Sequence, residues 1–177
     1  MIQRCKQLFV AKSHDYGTAW TVLRMPSITD QIFIKAERIK SIQESGENKV
    51  GDSVEGEFVA IINYCIIALI LLDWQEKTEA ELEQALQTSE ALEKLYDAKA
   101  QFAFDVMQQK NHDYGEAWRS MRISSITDLI RMKLYRLKRI EDNAGKTLVS
   151  EGVDANYVDM LNYAAFVLIR VDEGEKP

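Results

Sequence analysis

The sequence predicts an all-α fold: two tandem helical repeats packed as a pseudo-twofold helical bundle. Three observations predict it. Only 8 Gly and 2 Pro occur in 177 residues, about half the usual share, whereas a sandwich or barrel of many short strands needs such punctuation every ten or so residues. Apolar residues recur at helical spacing over long stretches. Finally, residues 12–39 laid over 110–137 at a constant offset of 98 give fifteen identities in twenty-eight positions.

The shared skeleton is Lys12/Lys110, His14-Asp15-Tyr16-Gly17 over His112-Asp113-Tyr114-Gly115, Ala19-Trp20 over Ala117-Trp118, and Arg24 over Arg122. It continues as Ser27-Ile28-Thr29-Asp30 over Ser125-Ile126-Thr127-Asp128, then Ile32/Ile130, Lys35/Lys133 and Arg38/Arg136. One inserted residue resets the offset to 99, and Asn63-Tyr64 then matches Asn162-Tyr163. A long period present only twice is not a solenoid, which needs three or more units. It is the pattern of a fused dimer, with residues 1–74 as the first repeat, 75–88 as an acidic helical connector and 89–177 as the second repeat.

Each unit carries three main helices. The first, at 2–13 and 90–111, ends at the His-Asp-Tyr-Gly turn, where Gly17 and Gly115 are expected to supply a left-handed cap. The second begins after Ser27 or Ser125, each a good N-cap, and runs to the regions of Gly46 and Gly145. The third starts near Gly51 or Gly152 and ends near Trp74 or Val171. In the connector, Thr78 and Glu81 form a capping box, and Ser89 reads as the next N-cap. The most apolar stretch, Phe58 to Leu72, is shorter than the roughly 20 residues a membrane span needs and is expected to be a buried core helix.

A formal charge of −6 argues against a general nucleic-acid or anionic-membrane binder. No signal peptide is expected, since Arg4 and Lys6 precede no apolar run, and the expected location is cytoplasmic. Cys5 and Cys65 lie in helical stretches without metal-ligand spacing and read as reduced packing residues.

The candidate site rests on polar residues in apolar stripes. On the second helix Ile28, Ile32, Ile39 and Ile42 fall within about 80° of one another, with Lys35 among them and Arg38 at the edge. Ile126, Ile130, Leu137 and Ile140 repeat the stripe around Lys133, again with Arg136 at the edge. An unpaired ammonium is not stable in an apolar site, so a duplicated core lysine predicts a duplicated carboxylate or phosphate facing it. The third helix supplies acids: Glu151, Asp154, Asp159 and Asn162 project within about 140°. The first repeat keeps Asp52, Glu55 and Asn63 but has Ala60 in place of Asp159. Such hard oxygen ligands, one helical turn apart, suit Mg²⁺ held jointly with substrate phosphates.

Each residue also has a structural explanation. The lysines and acids can be ion pairs that fix helix register, Asn63 and Asn162 can cap backbone groups, and Trp20, Trp118, Tyr64 and Tyr163 can be packing residues. His14 and His112 suit either a phosphate contact or a helix-dipole interaction. Among other chemistries, Glu-x-x-His di-iron helices, the Walker A loop, the GxGxxG fingerprint and the GxSxG elbow are missing from the sequence.

Together, Lys-x-His-Asp-Tyr-Gly, Lys-x-x-Arg, and acid-x-x-acid followed by Asn-Tyr resemble the nucleotide-modification-associated domain family of helical bacterial and phage proteins, twice over nearly the whole chain. More distantly, Glu151-x-x-Asp154 is similar to a metal-binding motif of the all-α nucleoside triphosphate pyrophosphatases, the MazG and dimeric dUTPase group. That resemblance implies Glu151, Asp154 and Asp159 as catalytic metal ligands, with Asp52 and Glu55 as counterparts. Lys133, Arg136, Lys35 and Arg38 would neutralise phosphates, and His112, Tyr114, Asn162, His14 and Asn63 would complete substrate binding. The earlier Glu-x-x-Glu of that group is replaced here by Lys-x-x-Arg, leaving fewer carboxylates than two metals need.

The leading expectation is a protein that binds a nucleotide or nucleotide-like phosphorylated small molecule with Mg²⁺, as a pyrophosphohydrolase. The alternatives are a non-catalytic helical binding or scaffold protein, and an RNA-binding module using the basic run Arg131 to Arg139. Nucleic acid and membrane are not the expected partners, and a homodimer remains open.

Overall fold

The computed structural model describes residues 1–146 and 152–177. Among the described residues there are seven α-helices, two short 3₁₀ turns and no strand. They are α1 (Ile2–Tyr16), α2 (Met25–Ser45), α3 (Val54–Asp73), α4 (Glu79–Ala85), α5 (Ser89–Tyr114), α6 (Ile123–Asp142) and α7 (Val153–Asp172). The 3₁₀ turns, Ala19–Val22 and Ala117–Ser120, carry the Ala-Trp of each repeat.

Helix boundaries follow the sequence with informative departures. His14-Asp15-Tyr16 and His112-Asp113-Tyr114 form the last turns of α1 and α5 rather than a loop. The glycines that follow have φ/ψ of 63°/−154° and 60°/−158°. This is not the expected left-handed helical cap but the positive-φ extended region that is essentially restricted to glycine. The second helices start three residues early, at Met25 and Ile123, so Ser27 and Ser125 lie inside the first turn and are not caps. Pro26, with its preset φ and no N–H to leave unsatisfied, can occupy that first turn. Gly46 does close α2 in the left-handed conformation, and its N–H bonds to the Ile42 carbonyl at 2.8 Å. In the connector the Thr78/Glu81 capping box is present. The cap of α5 is Thr88, one residue before Ser89, with its hydroxyl accepting from the Ala91 N–H at 3.1 Å.

Each helix of the first repeat packs against its own counterpart: α1 on α5, α2 on α6 and α3 on α7. That is the contact pattern of an isologous two-fold interface within a single chain. The centre is α3 against α7, with Ile61, Ile62 and Ile66 facing a core that includes Tyr157, Met160 and Leu168, all fully buried. Removing each such side chain from water contributes roughly 1.5–3 kcal/mol. Helix α3 is long and apolar enough to cross a membrane, but 67% of its apolar window is buried by the protein itself.

The two-fold relation has diverged in its chemistry. Across the α2–α6 contact, Arg131 donates to Glu37 at 2.7 Å, while the symmetry-related positions, Phe33 and Tyr135, form an edge-to-face ring pair at 5.8 Å. One contact is polar and its mate aromatic, so the repeats recognise each other as different partners. A second inter-repeat link joins Thr29 to α6 and α7. Its hydroxyl donates to Glu141 at 2.6 Å and, having only one proton, accepts from the Tyr157 hydroxyl at 2.7 Å.

Burial pushes the Glu141 carboxyl above the ordinary value of 4.5. The folded state therefore holds this proton more tightly than the unfolded chain, and its contribution to stability falls as pH rises from 4.5 through the raised folded value. Glu141→Gln is expected to remove that slope. Urea unfolding at about pH 4 and about pH 7 should show the variant gaining on wild type as pH rises; identical pH dependence would exclude Glu141 as the cause.

Candidate functional site

Each core-stripe lysine meets a carboxylate, but the two centres are built differently. In the second repeat, Asp159 on α7 is gripped on one oxygen by Lys133 of α6 at 2.6 Å and on the other by Lys110 of α5 at 2.5 Å. The side chains of Lys133 and Asp159 are 7% and 8% exposed. In the first repeat the buried acid is Glu57, paired with Lys35 at 3.2 Å and with Arg38. Arg38 also ties down the α2–α3 loop through the Asn48 side chain and the Asp52 carbonyl, each at 3.1 Å.

Glu57 corresponds to Asn156, and Asp159 to Ala60. The carboxylate has therefore moved one helical turn along α3/α7 between repeats, and each acid-less position holds a neutral residue. Asn156 bonds through its amide N–H to the Gly152 carbonyl at 2.9 Å, while its buried oxygen has no partner among the described residues.

The remaining sequence-predicted residues do not gather round these centres. Glu151 lies outside the described residues. Asp154 lies beside Asp73 and Glu141 in the wall of a surface depression between the end of α3 and the start of α7. Glu55 pairs with Arg4 at 2.7 Å, and Asp52 sits in the exposed α2–α3 loop, contributing its carbonyl. His14 and His112 are 85% and 89% exposed, each beside its following aspartate. Tyr114 and Arg136 are exposed. Asn63 and Asn162 are structural in the same way: each donates to a carbonyl of the first helix of its own repeat at 3.0 Å, that of Cys5 on α1 or of Ala103 on α5. Asn63 also accepts from the Tyr96 hydroxyl at 2.9 Å. Cys5 and Cys65 are buried free thiols, and burial pushes Cys5 up to about 11.

The basic run on α6 is largely committed to ion pairs within the protein. Arg131 holds Glu37 and Asp128, Lys133 holds Asp159, and Lys138 holds Asp30 at 2.6 Å. No group of three or more His, Cys, Asp or Glu among the described residues is arranged to hold a metal ion. Among the described residues the buried acids are Asp159 and Glu57, and both have their oxygens turned to ammonium and guanidinium groups.

Sequence reasoning missed Glu57 and Lys110 as members of these centres. Glu57 borders the most apolar segment, and extending that stripe by one residue would have exposed a charge needing a partner. Lys110 was visible as one of the repeated residues but had no assigned role.

Fold and site define an all-α tandem-repeat protein in which a repeated helical scaffold surrounds one buried carboxylate–cation centre per repeat. The chain belongs to the nucleotide modification associated domain 1 family, whose pattern matches residues 12–72 and again 110–171. No curated protein and no solved structure matches the chain.

Proposed function

We propose that the chain is a non-catalytic binding protein for a nucleotide or nucleotide-like phosphorylated small molecule. The single observation that carries the non-catalytic half is the closure of both buried acids, Glu57 and Asp159, by two cations each. A carboxylate so neutralised can take a proton from water or ligate a metal only by giving up the cations that hold it, and breaking a buried pair costs several kcal/mol. The nucleotide half rests on the family's description, met twice in the chain. Mg²⁺ enters this reading only as the counter-ion of the ligand's phosphates.

Incubation of the purified chain with a nucleoside triphosphate panel and Mg²⁺ should release no pyrophosphate, while at least one nucleotide should raise the melting temperature. A ligand at 100 times its dissociation constant stabilises by about 2.7 kcal/mol. Turnover abolished by Glu151→Gln and Asp154→Asn would establish a pyrophosphohydrolase instead. The absence of any shift with any nucleotide would leave a scaffold protein. Retention on RNA is expected to be weak, given the ion pairs of α6.

A further inference from the structure

The two repeats differ in chemistry where α1, the first 3₁₀ turn and α3 meet. A cavity of about 240 Å³ opens there, with Phe9, Lys12, Trp20, Ala60, Asn63 and Tyr64 in its walls. Ile67 contributes to the same surface. At the corresponding places the second repeat has Lys110, Trp118, Asp159, Asn162 and Tyr163, with Phe166 opposite Ile67 and Met107 opposite Phe9. Two substitutions therefore distinguish the pair decisively: Ala60 for Asp159 and Ile67 for Phe166.

In the second repeat these two side chains are fully engaged. The Phe166 ring stacks on Trp118, with centroids 4.4 Å apart and planes 5° from parallel. Asp159 binds Lys110 at 2.5 Å. In the first repeat Lys12 is exposed and makes no ion pair among the described residues. Phe9 takes back part of the space, its ring 6.1 Å from Trp20 and tilted by 42°, and does not stack. Trp20 carries a buried indole N–H with no acceptor among the described residues, a feature Trp118 shares.

We infer that this cavity is a binding site for a planar aromatic anion, whose ring takes the role of Phe166 against Trp20 and whose carboxylate or phosphate takes the role of Asp159 toward Lys12. The second repeat thus holds, in its own side chains, a template for the ligand of the first. The cavity is smaller than the roughly 300–1,000 Å³ that houses drug-sized ligands, so it takes one ring system with the charged group at the rim, where Lys12 lies. Aromatic stacking and an exposed ammonium supply ring and charge recognition separately. This inference deepens the nucleotide-binding reading and rests on it only for the choice between a nucleotide and another aromatic anion.

The test uses the full chain, labelled with ¹⁵N so that the indole N–H signals of Trp20, Trp74 and Trp118 are observed, with assignment by Trp74→Phe and Trp118→Phe. The probes are nucleoside monophosphates, naphthoate, the matching neutral nucleosides and inorganic phosphate. An aromatic anion is expected to move the Trp20 signal and leave Trp74 unmoved. Ala60→Asp, which installs the second repeat's own acid beside Lys12, is expected to weaken that binding at least tenfold. Lys12→Met, at an exposed position that tolerates change, should weaken the anion at least tenfold and leave the neutral nucleoside unchanged. No probe moving the Trp20 signal, or equal binding by wild type and both variants, overturns the site. Nucleotide binding with an unmoved Trp20 signal overturns the site and keeps the nucleotide reading, whereas naphthoate but no nucleotide moving it keeps the site and overturns that reading.

Discussion

Asp159→Ala is expected to destabilise the protein by up to about 3–5 kcal/mol, because it removes the buried carboxylate that the Lys133 ammonium contacts at 2.6 Å. The loss should appear as a lower urea midpoint with an unchanged slope. Three companions separate charge from packing. Asp159→Leu combined with Lys133→Met should recover most of the loss, since a buried ion pair is often replaceable by apolar residues of similar volume. Lys110→Met should cost no more than about 1 kcal/mol, because Lys110 is 49% exposed and its pair with Asp159 is solvent-screened on that side. Glu57→Ala should cost less than Asp159→Ala, since Lys35 and Arg38 retain access to water. If Asp159→Ala and the double variant are equally unstable, the centre is a packing feature and not an electrostatic one.

Asn63→Ala is expected to cost about 1–3 kcal/mol or slightly more. It orphans the buried Tyr96 hydroxyl, a group worth roughly 1–3 kcal/mol when left unpaired, and removes a second bond from the Cys5 carbonyl, which keeps its bond within α1. Asn162→Ala breaks the corresponding bond to the Ala103 carbonyl but has no equivalent of Tyr96, so its cost should be smaller. Paired chemical unfolding of the two variants measures the difference. Equal losses would mean that the Tyr96 hydroxyl finds another partner. These asparagines look like substrate contacts in the sequence because they are polar on an apolar face; in the fold they pin the third helix of each repeat to the first.

Much of the fold was legible from residues alone. The repeat of Lys12 to Arg38 over Lys110 to Arg136 implied two copies of one unit. A two-fold contact of each helix with its counterpart is the simplest way for such units to bury their apolar faces. The stripe around Lys133 implied a facing carboxylate, and Asp159 is there. The capping box at Thr78 was readable because both of its partners lie within four residues. The starts of α2 and α6 were misread because serine's capping preference is a local tendency, and helical hydrogen bonding beginning at Met25 and Ile123 places Ser27 and Ser125 one turn too late to act.

The candidate site was legible only as a list of residue types. Sequence periodicity tells which residues share a face of one helix, and it placed Lys35, Lys133 and Asp159 on inward faces. It cannot tell which residue of another helix comes within hydrogen-bond reach, and that distance separates a metal ligand from an ion-pair partner. Lys110 reaches Asp159 only because α5 packs on α7, and Glu57 replaces Asp52 and Glu55 as the buried acid of the first repeat only because α2 and α3 meet at that turn. By itself the sequence determined that the chain is helical, duplicated and in need of buried charge pairs, since all three follow from local composition and spacing. The tertiary structure alone decided which charges pair and that a cavity lies between Lys12, Trp20 and Ala60, because both depend on distances between helices far apart in the chain.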